Sequence, residues 1–165
     1  MKALPPSWKN AKQYSRANRP VTDLEQARAC RDAMYAKDLA SQALGIEVTI
    51  AQPGSAEARM SVTAAMLNGF GICHGGYVFA LADTAFAFAC NAYDRVTVAA
   101  GASIDFLKPV HAGDVLCADA REIHRGRRAG LYEVSVRNQD DVLVAMFQGR
   151  SSALDRSLLD DLEQG

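Results

Sequence analysis

The 165-residue chain lacks the marks of several common chemistries. Its four cysteines, Cys30, Cys73, Cys90 and Cys117, include no CxxC pair, and no histidine spacing completes a zinc site. There is no G-x-S-x-G elbow to present a serine nucleophile and no glycine-rich loop to cradle phosphates. Cys73 stands beside His74, but adjacency in sequence does not make a thiolate–imidazole pair in space, and most free cysteines are buried and inert. No charged stretch followed by an apolar run opens the chain, so no secretory signal is expected. The net charge of −1 gives nucleic acid no general attraction. These absences point to one domain in a reducing, cytoplasmic compartment, with no metal or cofactor and no membrane span. A chain of this size buries roughly 70% of its unfolded surface, so it needs no staples.

What the chain does have is one apolar run, residues 75–93, with a single charge in it, Asp83. A helix of that composition is hydrophobic all round and belongs inside a protein. Asp83 and the many alanines argue for a buried helix rather than a membrane span. A carboxylate placed there is costly unless it is paired or used.

Around this helix the pattern is mostly strand. Residues 1–27 form a basic, Pro-punctuated arm containing Lys2, Lys9, Lys12, Arg16 and Arg19. It reads as a loosely held extension that Trp8 could pin to a neighbouring surface, with a transit peptide as the weaker alternative. Thr22-Asp23-Leu24-Glu25 matches a capping box, predicting a helix to about Ala43 that Gly45 ends. Leu24, Ala27, Met34, Leu39 and Leu44 give it a partial apolar stripe. Residues 46–50 and 56–62 alternate across Pro53-Gly54 as a hairpin, and residues 66–73 form a loop. After the apolar helix come strands over 96–107, 115–124, 129–137 and 142–152, joined by turn residues at Pro109, Gly113-Asp114, Gly126 and 138–141. The acidic tail, 154–165, is expected to fray or form a short helix. The domain proper is thus 28–153. One long helix among about six antiparallel strands is an α+β arrangement, a sheet wrapped around a helix. One helix cannot cover such a sheet alone, so a dimer or higher is expected.

The chemistry gathers at the helix. Backbone N–H groups at a helix start have no internal partner, and the helix dipole adds partial positive charge there. Gly75, followed by Gly76, lets a substrate approach that backbone, making a donor for a carbonyl oxygen; a tight turn needing glycine is the plainer alternative. Asp83, if desolvated, suits a nucleophile or general base, or else a structural acid held by a distant partner. Eight residues separate the two, about 12 Å along a helix, whereas both must lie within roughly 3.5 Å of one carbonyl group. Two antiparallel copies satisfy this, with Gly75 of one chain facing Asp83 of the other. Asn68 can orient a water or the substrate, or serve the Asn-Gly turn. His74 can donate to substrate or brace the loop.

The run 67–91, LNGFGICHGGYVFALADTAFAFACN, resembles the phenylacetic acid degradation (PaaI-type) thioesterases of the hotdog superfamily. So do 33–46, 103–116 and 145–151, so that the likeness covers about residues 30–152. The resemblance implies a hotdog fold, dimeric and often tetrameric, that hydrolyses acyl-CoA to a free acid and CoA. It implies Asp83 as the catalytic acid, the Gly75 N–H as the group polarising the carbonyl, and Asn68 and His74 beside them. Certain relatives carry a hydroxyl residue on the strand after the helix; here 98–102 has none, and Ser103 is the first.

Candidate contacts for the substrate are Gly76, Phe79 and Phe86, the phenylalanines lying three or four residues from Asp83 where they can flank an aromatic acyl group or join the core. Arg125, Arg127 and Arg128 suit CoA phosphates, or simply form a solvated hairpin tip. The expected function is a thioesterase for arylacetyl-CoA, phenylacetyl or hydroxyphenylacetyl. The alternatives are a hotdog enoyl-CoA hydratase or dehydratase and a non-catalytic acyl-CoA binder.

Overall fold

The computed structural model describes residues 22–163. Most of the basic arm, Trp8 included, and the last two residues lie outside the described residues.

The capping box at Thr22 forms as expected: its hydroxyl accepts from Glu25 N, and Glu25 reaches back to the Thr22 N–H. The helix it starts, α1 (Asp23–Lys37), is shorter than expected. Asp38 interrupts it by capping a second helix, α2 (Leu39–Ala43), with Oδ1 accepting from Ser41 N at 2.9 Å. The break shifts the helical phase, so Leu39 leaves the apolar stripe and stands 74% exposed. Gly45, at φ +66°, turns the chain into the sheet.

Strands β1 (Glu47–Gln52) and β2 (Ser55–Ser61) form the expected hairpin, with Gly54 at φ +79° in its turn. A 3-10 turn (Ala64–Met66) and a loop lead to α3 (Gly75–Cys90), which ends at Asn91, slightly before the expected Tyr93. Then follow β3 (Thr97–Phe106), β4 (Val115–Arg125), β5 (Ala129–Arg137), β6 (Leu143–Ala153) and α4 (Leu158–Glu163).

All strand pairs are antiparallel, in the order β1-β2-β4-β5-β6-β3. Because β2 and β3 are far apart in that order, α3 must cross the face of the sheet to join them. Its inner side, Val78, Leu81, Ala82, Ala85, Phe86 and Ala89, is buried against the strands. Gly149 on β6 lets the Phe86 ring lie directly on the backbone, since a Cβ there would meet it at 2.8 Å. Alternation on β5 is clean: Tyr132, Val134 and Val136 face the helix, while Glu133 and Ser135 face out.

Two regions remain open. The other side of α3, with Gly76, Phe79, Ala80, Asp83, Thr84 and Ala87, is not fully covered. Strand β3 is a sheet edge, and Val98 and Phe106 on it stand half-exposed.

The tail does not fray over its described part. Leu158 is buried, α4 packs on α1, Lys37 Nζ donates to Leu162 O, and Asp94 accepts from both Ser157 Oγ and Leu159 N.

Candidate active site

The loop before α3 is built from local hydrogen bonds. Asn68 Oδ1 accepts from Phe70 N at 2.9 Å, and Asn68 N donates to Ile72 O. This Asx turn uses the amide oxygen and leaves the Asn68 NH2 group without a partner among the described residues. Leu67 pairs with Cys73 as an isolated bridge, and His74 N donates to Met66 O, so the loop returns to the helix start as a closed unit.

His74 is the N-cap of α3. Its Nδ1 accepts from Gly76 N at 3.0 Å, and its carbonyl accepts from Tyr77 N at 2.9 Å. With Nδ1 as acceptor, the neutral ring carries its proton on Nε2. Two of the first three donors of the helix are therefore used. The third, the N–H of Gly75, meets no acceptor among the described residues, and the helix dipole points its positive end there. Of the two glycines, Gly76 serves the cap and Gly75 supplies the open donor.

Asp83 lies two turns further on, half-buried on the open side of α3. No cation and no hydrogen-bond donor meets its carboxylate among the described residues. Partial burial alone pushes its pKa up from the ordinary carboxylate value. The structural-acid alternative needed a partner from elsewhere in the chain, and none of the described residues supplies one. Within one chain, no hydrogen bond joins His74 to Asp83.

The remaining candidates separate. Phe79 is half-buried, one turn from Asp83 on the open side, with its ring edge-on to Phe147 at 5.4 Å. Phe86 is 1% exposed and packs on Tyr132 and Phe147 at 5.3 and 5.8 Å, so its ring belongs to the core. The arginine cluster sits on the β4–β5 turn, beside Cys90 and Tyr93 at the C-terminal end of α3, away from Gly75 of the same chain. Arg125 stacks over the Tyr93 ring at 3.8 Å, and Arg128 pairs with Asp155. No carboxylate pairs with Arg127 among the described residues. Strand β3 carries two hydroxyl residues: Thr97, whose Oγ1 donates to Arg95 O at 2.8 Å beside the C-terminal end of α3, and Ser103, which pairs with Gln148 in the register where Ile104 faces Phe147 and so points to the outer face of the sheet.

Two residues that the sequence did not single out stand near these groups. Asn91 caps the end of α3, and Phe106 covers Gly75: a Cβ on Gly75 would meet the Phe106 ring at 2.8 Å. Asn following a helix is a signal that was available; nothing local in sequence brings Phe106 to Gly75. A cleft of about 820 Å3 lies instead on the outer sheet face among Glu57, Arg59, Asp119 and Arg121, with no residue of α3. Its charges neutralise one another in surface pairs, and it holds none of the groups above.

Residues 70–145, which include Gly75 and Asp83, match the thioesterase superfamily. The acyl-coenzyme A thioesterase PaaI of Escherichia coli K12 is 48% identical over 119 residues, covering 72% of this chain and 85% of that one. The chain belongs to the hotdog-fold acyl-CoA thioesterases of the PaaI type. The solved structure of the E. coli PaaI protein superposes on this thioesterase with a TM-score of 0.81 and 43% identity, over 82% of this chain and 99% of that one. A mutant structure of the phenylacetic acid degradation protein PaaI from Thermus thermophilus gives a TM-score of 0.66 at 38% identity, covering 69% of this thioesterase and 97% of that chain. A putative esterase of Archaeoglobus fulgidus is 34% identical over 72% of this chain and 77% of its own.

Proposed function

We propose that this thioesterase hydrolyses arylacetyl-CoA, with phenylacetyl-CoA and hydroxyphenylacetyl-CoA as leading substrates, at a site shared by two copies of the chain. The observation that carries the reading is the pair of unsatisfied groups on α3: the Gly75 N–H and the Asp83 carboxylate. They are about 12 Å apart along one helix, too far for one thioester. An antiparallel second copy brings Asp83 of one chain to Gly75 of its partner. The open side of α3 and the bare β3 edge are the surfaces such a copy would cover, burying Asp83 further. The minimum assembly is a homodimer, with a tetramer as a dimer of dimers.

In this site the thioester oxygen accepts from the Gly75 N–H, and Asn68 offers its free amide beside it. Asp83 either adds a carboxylate oxygen to the thioester carbon or takes a proton from a water that does so. The tetrahedral oxyanion forms on the Gly75 donor, where a fixed dipole stabilises it without reorganisation. Collapse expels CoA as the thiolate, a good leaving group that needs no strong acid. The first route leaves a mixed anhydride that water opens to the free acid and Asp83; the second releases the acid at once. Since Thr97 Oγ1 is committed to Arg95 O and Ser103 points outward, an attacking water would depend on Asp83 and Asn68 for its place. Arg127, and Arg125 and Arg128 if their present contacts yield, are the candidates for CoA phosphates, reaching the partner's site across the two-fold. The support for an aromatic acyl group is the kinship with PaaI. A cytoplasmic location belongs to this reading; no helix among the described residues is long and apolar enough to cross a membrane.

The test is thiol release from phenylacetyl-, hydroxyphenylacetyl-, benzoyl- and straight-chain acyl-CoA. Preference for the arylacetyl esters is expected, and a straight-chain preference would overturn the substrate assignment. Mixing Asp83→Asn chains with Gly75→Val chains should restore turnover that neither has alone. Failure to do so in proven mixed dimers would sink the shared site.

A further inference from the structure

Phe106 stands oddly in the fold. It lies on the helix-facing side of β3, in the same alternation as Ile104 and paired with the fully buried Ala145, yet it is 55% exposed. Its side chain does not turn away into solvent. The para carbon of the ring is the nearest atom to Gly75, 2.8 Å from the point a Cβ would occupy. The ring overhangs a cavity of about 270 Å3 between the Asn68 loop, the first turn of α3 and the start of β6. Ile72, Val78, Val110 and Val144 make apolar walls, while Asn68 and Gly75 line the same space. Cys73 lines it too; burial pushes its thiol up, so it stays neutral and acts as another soft apolar wall. Lys108, exposed, is the one cation among its lining residues.

We propose that this cavity is the acyl subsite and that Phe106 sets the size of acyl group the enzyme accepts. The inference rests on the thioesterase reading above and places the acyl group at the Gly75 end of α3, not between Phe79 and Phe86. Distance and volume both support it. A thioester oxygen on the Gly75 N–H puts the acyl carbon at the entrance of this cavity. The space is just under the ~300–1,000 Å3 of sites for drug-sized ligands, so it takes one ring or a short chain and excludes the CoA nucleotide. Apolar walls with convergent polar groups at one side are the usual design of such a site. Phe106 offers an aromatic face or edge to the ring it meets. The acyl pocket and the attacking acid then come from different chains: Phe106 beside Gly75 on one, Asp83 on the other.

Two substitutions of Phe106 test the assignment, each in a variant shown to keep the dimer. The readouts are the ratio of kcat/KM for phenylacetyl-CoA to that for 1-naphthylacetyl-CoA, and the ratio for phenylacetyl-CoA to acetyl-CoA. Phe106→Ala should lower the first ratio at least fivefold by admitting the second ring. Phe106→Trp should lower the second at least fivefold by filling the cavity. Smaller changes in both overturn the subsite. A binding measurement separates this from failure of the hydrolase reading. In the Asp83→Asn background, titration calorimetry should show phenylacetyl-CoA binding at least fivefold more weakly when Phe106→Trp is added, with binding of free CoA changed less than twofold. A binding shift without any turnover by the wild type would overturn the hydrolase and leave the subsite standing. Equal binding of phenylacetyl-CoA with and without Phe106→Trp would overturn the subsite.

Discussion

The two ends of α3 are built to opposite rules. At its C-terminal end Asn91, 4% exposed, has every group of its side chain occupied: Nδ2 donates to Ala87 O at 3.0 Å and Thr97 O at 2.8 Å, and Oδ1 accepts from Thr97 N at 2.9 Å. Cys90 beside it is buried, and its thiol is pushed up to about 12. Tyr132 donates to Glu122, and Arg125 rests on Tyr93. At the N-terminal end an asparagine again follows a tight local geometry, but its NH2 is left over, as is the Gly75 N–H. Saturation marks the end that holds the fold. Unsatisfied donors collect at the other end, where, in the function proposed above, a substrate carbonyl would accept from them.

The sharpest break of this comparison is at the group between the two ends. Asp83→Asn should keep the fold and lower kcat by at least ~100-fold, the lower range for a general acid or base; near-wild-type turnover would remove Asp83 from the chemistry. The next effect is crossed. Asn68→Ala should cut kcat/KM by ~10-fold or more as an oxyanion-side donor is lost, with the melting temperature nearly unchanged. Asn91→Ala should cost about 1–3 kcal/mol by leaving buried groups of Ala87 and Thr97 unpaired, read by urea unfolding, while the folded fraction turns over normally. If both asparagines moved the same observable, the two ends would not differ as described.

Acid should act through Asp83 as well. Burial raises the Asp83 pKa, so the carboxylate is protonated over a higher range than an ordinary acid. The active ionised form should give kcat/KM an acid limb above the usual carboxylate range, and residual activity of Asp83→Asn should lack that limb. For stability the sign is opposite to that of a salt-bridged acid. An acid with a raised native pKa opposes folding once ionised, so wild type gives up stability as pH rises from the unfolded value through the native one. Asp83→Asn should thus be at least as stable as wild type at pH 7, with the gap closing in acid. The smallest effect belongs to the outer sheet face, where Arg121→Ala, though it breaks the 2.6 Å pair with Asp119, should leave both the urea-unfolding midpoint and turnover essentially unchanged, because so exposed a pair is screened by solvent.

Much of this was legible in residues that act locally. The capping box at Thr22, the left-handed Gly45, the Pro53-Gly54 hairpin and the apolar run of α3 depend on neighbours in sequence, and each predicted element formed. What escaped depends on contacts across the sheet. Asp38 interrupts a helix because its side chain reaches Ser41 N, and a single aspartate within a helical pattern does not announce that choice. Phe79 and Phe86 share a distance from Asp83 in sequence, but only the pairing of α3 with β6 assigns Phe86 to the core. The availability of the arginines is decided by Tyr93 and Asp155, residues far from them along the chain. Phe106 meets Gly75 through a strand laid down after the helix.

That strand has a further consequence, in the order of synthesis. Among the described residues β3 has one neighbour in the sheet, β6, and β6 is the last of the described strands to be synthesised. From the time Phe106 emerges until Ala153 follows, β3 has no edge to join, and the cover over Gly75 has no support. A nascent chain therefore carries an unpaired strand with three alanines and the apolar Val98, Ile104 and Phe106 through the making of two other strands. Such a segment is exposed to pairing with other chains. A chain cut or stalled before β6 would lack the strand on which both β3 and the Phe86 face of α3 pack, so fragments of this enzyme should be recovered as aggregates rather than as inactive domains.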